Sequence, residues 1–283
     1  MTEFRSWAAA SICAPASAAP LFNEVALLLS EDPTTAKARK VNLYHAALAG
    51  VATGHHAHGS LTNYVQITGA SLTPIVDALV SAELVERVQD PIRENRPTYH
   101  PADPLIRFHY AVIRRHESRL SHHGADTEQI WRGLRPTFDS QVLGTSFEAA
   151  ARYWTMHFAS PDTVGGSPYH VGPTTLAFDG GTEQQLDVVV AADDANMPSG
   201  RTILALGEAK AGERITTRHL QRLEAARAAL GDRAADARLL FFGVAFAPAM
   251  QSAAEQREDI ELIDLDRLYG GDRMRQGRDR TGR

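Results

Sequence analysis

Cysteine occurs once in 283 residues, as Cys13, so no disulfide can close within the chain. A protein without that staple fits a reducing compartment. No uninterrupted apolar run approaches the roughly 20 residues that a membrane-spanning helix needs. The motif G-x-x-x-x-G-K-[ST] is absent too, which removes the lysine and the backbone cradle of a P-loop nucleotide site. Met1 to Pro20 carries small residues (AAASICAPASAAP) where a secretory signal would place a longer stretch containing Leu or Val, so a cytoplasmic protein is expected. Positive charge is not in excess either. Against 34 Asp and Glu there are 29 Lys and Arg, a formal net charge of −5, which excludes a protein coated in positive charge.

What is present is the composition of an ordinary globular protein, 43% hydrophobic and 22% charged. The length favours two small domains over one core. Charge is unevenly spread between them. Lys37 to Pro136 holds 12 Lys and Arg against 9 Asp and Glu, and nine of the twelve histidines. From Leu268 onward there are five arginines and two aspartates. Both regions lean basic, so the stretch between them is acidic, and a polyanionic partner, DNA, is the expectation.

Leu21 to Glu31 has helical apolar spacing and ends at Asp32-Pro33, because the residue before proline avoids helical geometry. Residues 1–40 form an N-terminal segment. VNLYHAALAGVATG then predicts a helix stopped by Gly54, and LTNYVQIT a short one ending at Gly69. Ser71 opens a third, SLTPIVDALVSAEL, with Pro74 in its first turn. LVERVQ and RPTYHPAD alternate as short strands. Three helices followed by a hairpin is the order of a winged helix-turn-helix over 41–104, with a generic small helical domain as the alternative. The third helix offers Asp77 and Glu83 but no Lys or Arg, so duplex contact would fall to Arg87, Arg93 and Arg96 on the wing. Protein contact is an equal reading of this module. Residues 105–135 read as a connecting helix, with Arg107, Arg114, Arg115 and Arg119 on a solvated basic face, and a linker from His122 to Thr127.

The chemistry concentrates in 136–268, before a basic tail at 269–283. Thr145 to Phe158 is helical with Glu148 near its start. Tyr153, Trp154 and Phe158 have core spacing. Leu186 to Ala192 predicts a strand with Asp187 at its entry, and Thr202 to Ala211 a second one ending in Glu208-Ala209-Lys210. AADDANMPSG between them predicts a hairpin turn. A further helix over Thr216 to Leu230 and two apolar segments, ARLLFFGVAF and IELIDLDRLY, close the domain. Period-two geometry places Glu208 and Lys210 on one strand face, with Ala209 opposite. With Asp187 beside them, two carboxylates and an ammonium converge, a set suited to Mg²⁺ or Mn²⁺ and to phosphoryl chemistry. A simple ion pair on an α/β hairpin is the plain alternative. The histidines of GHHAHG (His55, His56, His58) would need a further ligand to hold zinc. Ser146 and Ser167 lack a nucleophile-elbow context.

Asp187 with Glu208-Ala209-Lys210 resembles the PD-(D/E)xK nuclease signature, with Glu148 matching the acid often found on the preceding helix and Leu186 replacing the proline. In many members a polar residue on the following helix joins in, which points to His219, Gln221 or Arg222. Together with PTYHPADPLIRFHYAVI and SFEAAARYW, the pattern is similar to the C-terminal half of the DEXX-box ATPases of archaea and bacteria. That resemblance implies an α/β restriction-endonuclease-like domain after a winged helix, here without the ATPase domain, and it would make Leu21 to Glu31 a remnant of the ATPase lid. FFGVAFAP departs from the family pattern on its strand. The expected function is a Mg²⁺-dependent DNA phosphodiesterase: Asp187 and Glu208 as metal ligands, Lys210 as charge stabiliser, Glu148 as supporting acid. The alternatives are a non-catalytic DNA-binding or regulatory module, an orphaned fragment whose motor sits on another chain, or a decayed gene.

Overall fold

The computed structural model describes residues 41–93, 96–120, 127–178, 181–196 and 200–270, with Val25 and Asp272 as single positions. The expected helix over Leu21 to Glu31, the linker and most of the basic tail lie outside these residues. Val25, described alone, is helical and buried. The chain divides into two compact units, one holding the residues up to Val88 together with Arg96–Leu143, the other Gln89–Asn95 together with the chain from Gly144 onward. Among the described residues no helix is long and apolar enough to cross a membrane.

The first unit opens with α1 (Val41–Ala52), α2 (His58–Val65) and α3 (Gly69–Ser81). Strands β1 (Val85–Val88) and β2 (Thr98–Pro101) follow as an antiparallel pair, with Val85 opposite Pro101. Leu72, Ile75, Val76 and Leu79 give α3 one apolar stripe, and it buries against Leu48 and Val51 of α1. Two local expectations change. Gly69 does not end α2: Gln66 does, in the left-handed region (φ 59°). Gly69 instead opens α3 behind the N-cap Thr68, whose hydroxyl accepts from the Ser71 N–H. Glycine suits that position because a Cβ there would stand 3.2 Å from the His58 ring. This earlier start moves Pro74 into the helix interior, where it leaves the Ala70 carbonyl without its i+4 donor.

Asp103 caps α4 (Pro104–Phe108), accepting from the Leu105 N–H at 2.7 Å. A π-helical turn (His109–Ile113) and a 3₁₀ turn (Arg114–His116) carry it into α5 (Glu117–Leu120). Every residue from Ile106 to Ile113 is buried, Arg107 included, so Arg107 does not share the solvated face of Arg114, Arg115 and Arg119. Helix α6 (Thr127–Thr137), which runs into a π-helical turn (Phe138–Gly144), supplies Ile130, Trp131 and Leu134 to the same core.

The second unit is a five-stranded sheet with helices on both faces. Helix α7 (Thr145–His157) and the short α8 (Pro161–Val164) lead into β3 (His170–Ala177), β4 (Glu183–Asp193) and β5 (Arg201–Lys210). Then come α9 (Thr217–Leu230), β6 (Arg238–Gly243), α10 (Pro248–Gln256), β7 (Ile260–Ile263) and α11 (Leu265–Gly270). Spatial order equals chain order, antiparallel from β3 to β5 and parallel from β5 to β7. The parallel crossovers require α9 and α10, which is why β5 and β6 are apolar on both faces. Helix α7 packs on the face of Val188, Ala205, Ala209, Leu240 and Phe242, while Leu220 and Leu223 of α9 pack with Leu206 and Phe241 on the other. Strand β3 escapes sequence reading because Gly172-Pro173 looks like a turn. It is an edge strand with an irregular register between Gly172 and Thr174, where proline costs no ladder bond.

Candidate active site

Strands β4 and β5 create the site through their register. Val188 stands opposite Gly207, which brings Asp187 alongside the Glu208-Ala209-Lys210 segment. Gly207 allows the approach: a Cβ there would lie 2.9 Å from Val188 Cβ and 3.3 Å from the Leu240 carbonyl oxygen. Asp187 lies inside β4 rather than at its entry, since the strand begins at Glu183.

All three predicted core residues meet. Lys210 Nζ sits 2.7 Å from Glu208 Oε1 and donates to Asp187 Oδ2 at 3.1 Å. The Ala209 backbone N–H donates to the same Asp187 oxygen at 2.9 Å. Ala209 itself turns into the core beneath α7, as strand alternation requires. Glu208 is 1% exposed, and its Oε2 is buried with no hydrogen-bond partner among the described residues. Burial of Lys210 acts to lower its pKa, but the Asp187 and Glu208 carboxylates outweigh that and hold it above the ordinary lysine value. Lys210 is therefore a standing ammonium.

Among the three polar candidates on the next helix, Arg222 reaches the site, its Nη1 donating to Glu208 Oε1 at 3.2 Å. His219 instead accepts from the Thr216 backbone N–H at 3.0 Å and caps its own helix, and Gln221 is exposed. Glu148 lies half-buried in the first turn of α7, on the layer opposite α9. One turn later Arg152 donates to the Asp187 carbonyl at 3.0 Å, a contact sequence reasoning missed. Its i+4 spacing from Glu148 was the available signal.

The oxygen donors suit a hard cation. Asp187 and Glu208 offer two carboxylates, one with an orphaned buried oxygen, which is the small protein share that Mg²⁺ takes while keeping water and phosphate as other ligands. Among the described residues no group of three or more metal-ligating side chains converges, either here or at the histidines. His55 pairs instead with Ser60 Oγ (2.9 Å), His58 with Thr73 Oγ1 (3.3 Å), and the His56 and His100 rings lie 4.2 Å apart.

The wing arginines do not act as one group. Arg87 forms an ion pair with Asp77 of α3 and lies over the Tyr99 ring. Arg96 is exposed, whereas Arg93 is half-buried and belongs to the second unit, where its backbone N–H donates to Asp90 Oδ1 at 3.0 Å. The expectation that Tyr153 and Phe158 fill the core with Trp154 is also corrected. Only Trp154 is buried; the other two face solvent because they flank, rather than share, the buried stripe of Ala151, Trp154 and Thr155.

No family model matches this chain. An uncharacterized protein of Methanocaldococcus jannaschii is 27% identical over 125 residues, 43% of this chain and 26% of the relative's length. The match thus spans about a quarter of that protein. No solved structure matches.

Proposed function

We propose that this chain is a metal-dependent nucleic-acid phosphodiesterase whose second unit has the restriction-endonuclease-like fold. The observation carrying this reading is the buried, unpartnered Oε2 of Glu208 beside Asp187 and a lysine that stays charged. Mg²⁺ or Mn²⁺ held by Asp187 and Glu208 would polarise the scissile phosphate and acidify an attacking water. Lys210 then balances the extra negative charge of the transferring phosphoryl group. The Ala209 N–H keeps Asp187 oriented, and Arg222 keeps Glu208 oriented. Supporting the fold is a helix, three antiparallel strands and two parallel additions, with acid, acid and lysine at one register. Three helices and a hairpin support a winged helix in the first unit, with DNA as its partner, Arg96 as its free contact and an ATPase on a separate chain as a further associate.

The test is incubation of the purified protein with plasmid and single-stranded DNA in Mg²⁺ or Mn²⁺, then in EDTA. Metal-dependent cleavage that disappears in Lys210→Ala supports the reading. Equal behaviour of wild type and variant sinks it. One observation favours a second reading, a non-catalytic nucleic-acid-binding or regulatory module: Lys210 and Arg222 already satisfy three of the four carboxylate oxygen contacts described above, as a structural ion-pair cluster would.

A further inference from the structure

Helix α7 buries Trp154 and leaves the neighbouring rings in water. Tyr153 is 61% and Phe158 53% exposed, and His157 is exposed beside them. The three form one cluster: Tyr153 and His157 ring centres are 4.4 Å apart, Tyr153 and Phe158 5.9 Å. Large aromatic rings gathered on a surface without a partner mark a binding face, since burying them elsewhere would be favourable. The chemistry around them indicates what they meet. Asp272 Oδ2 accepts from the Ser160 backbone N–H at 2.6 Å, and Asp272 Oδ1 accepts from Arg267 Nε at 2.8 Å. These bonds anchor the chain two residues past Phe158. From that anchor the sequence continues RMRQGRDRTGR, five arginines to one aspartate. Exposed rings next to the root of an arginine-rich segment combine base stacking with phosphate attraction.

We propose that Tyr153, His157 and Phe158 form a stacking platform for unpaired bases, which makes single-stranded nucleic acid the polymer this unit binds. The proposal rests on the phosphodiesterase reading for the class of polymer and narrows it to unpaired strands, because paired bases present no free ring face. A protein partner would also cover aromatic rings, but the five arginines that follow Asp272 in the sequence favour a polyanion.

The experiment measures binding of labelled oligothymidylate and oligouridylate of about 16 nucleotides, the upper end of a single-strand site, and of a duplex of equal length. It uses the full chain in EDTA, so cleavage is not read and an inactive protein leaves this proposal standing. The single strands should bind more tightly than the duplex. Tyr153→Ala and Phe158→Ala should each weaken binding of both oligonucleotides about tenfold, the loss of one stacked base, with unchanged thermal unfolding. Tyr153→Trp, which keeps a stacking face, should bind like wild type. Equal affinity of the alanine variants, preference for duplex, or no binding of any strand would overturn the proposal. So would a shift from dimer to monomer in the variants at constant oligonucleotide affinity, which would assign the patch to a second copy.

Discussion

The Ala209 backbone N–H donates to Asp187 Oδ2 at 2.9 Å, so the main chain of one strand fixes the acid of the next. Loss of that acceptor strands a buried N–H. Asp187→Ala should therefore cost about 1–3 kcal/mol of stability in urea unfolding. Asp187→Asn keeps an oxygen for the N–H and should cost less, while both remove Mn²⁺ binding measured by calorimetry. Retained Mn²⁺ affinity in both would end the metal assignment of Asp187.

Lys210→Met leaves Asp187 and Glu208 facing each other with one cation, Arg222, at Glu208. Breaking a buried pair by removing one partner costs up to about 3–5 kcal/mol, and the partial exposure of Lys210 puts the expected loss below that range. Mg²⁺ should raise the melting temperature of Lys210→Met more than that of wild type, because the ion replaces the missing charge. Equal shifts in the two proteins would show that the cation binds elsewhere.

The raised pKa of Lys210 has a defined sign. A lysine held above its unfolded value contributes stability that is fully present below about pH 10.4 and is lost as pH rises through its folded pKa. The gap in unfolding free energy between wild type and Lys210→Met should then be the same at pH 8 and pH 9. A growing gap between the two proteins across that interval would contradict it.

His109 behaves in the opposite way. Burial first, then Arg114 and His45, push its pKa from 6.5 down to about 4. Between those values the unfolded chain binds more protons than the folded one, so stability falls as pH drops from 6.5 to 4, by at most about 3 kcal/mol. His109→Leu should flatten that part of the stability profile in urea unfolding. A slope unchanged by the substitution would assign the acid sensitivity to other groups.

Gly207→Ala should destabilise by about 1–3 kcal/mol, the usual cost of overpacking, because its Cβ meets Val188 and the Leu240 carbonyl. Unfolding at a wild-type denaturant midpoint would show that β5 shifts freely.

Strand periodicity carried the central pairing. Glu208 and Lys210 had to share a face once their segment was a strand, and turn formers between the two apolar runs had to bring Asp187 near. Core assignment on α7 was less legible, because Tyr153, Trp154 and Phe158 are all large aromatics and packing against Phe242 chose Trp154. The same holds for Arg107, whose charge reads as exposed until the helix around it is buried on every side.

Local chemistry alone determined strands β4 and β5, the turn between them, the helices that flank them, and the shared face of Glu208 and Lys210, since those follow from periodicity and backbone preference. Tertiary structure decided the rest. It selected Arg222 over His219 and Gln221, left Glu208 Oε2 buried without a partner among the described residues, and gathered aromatic rings beside the Asp272 anchor. Those outcomes depend on which surfaces meet across long chain separations, and no short-range pattern encodes such distances.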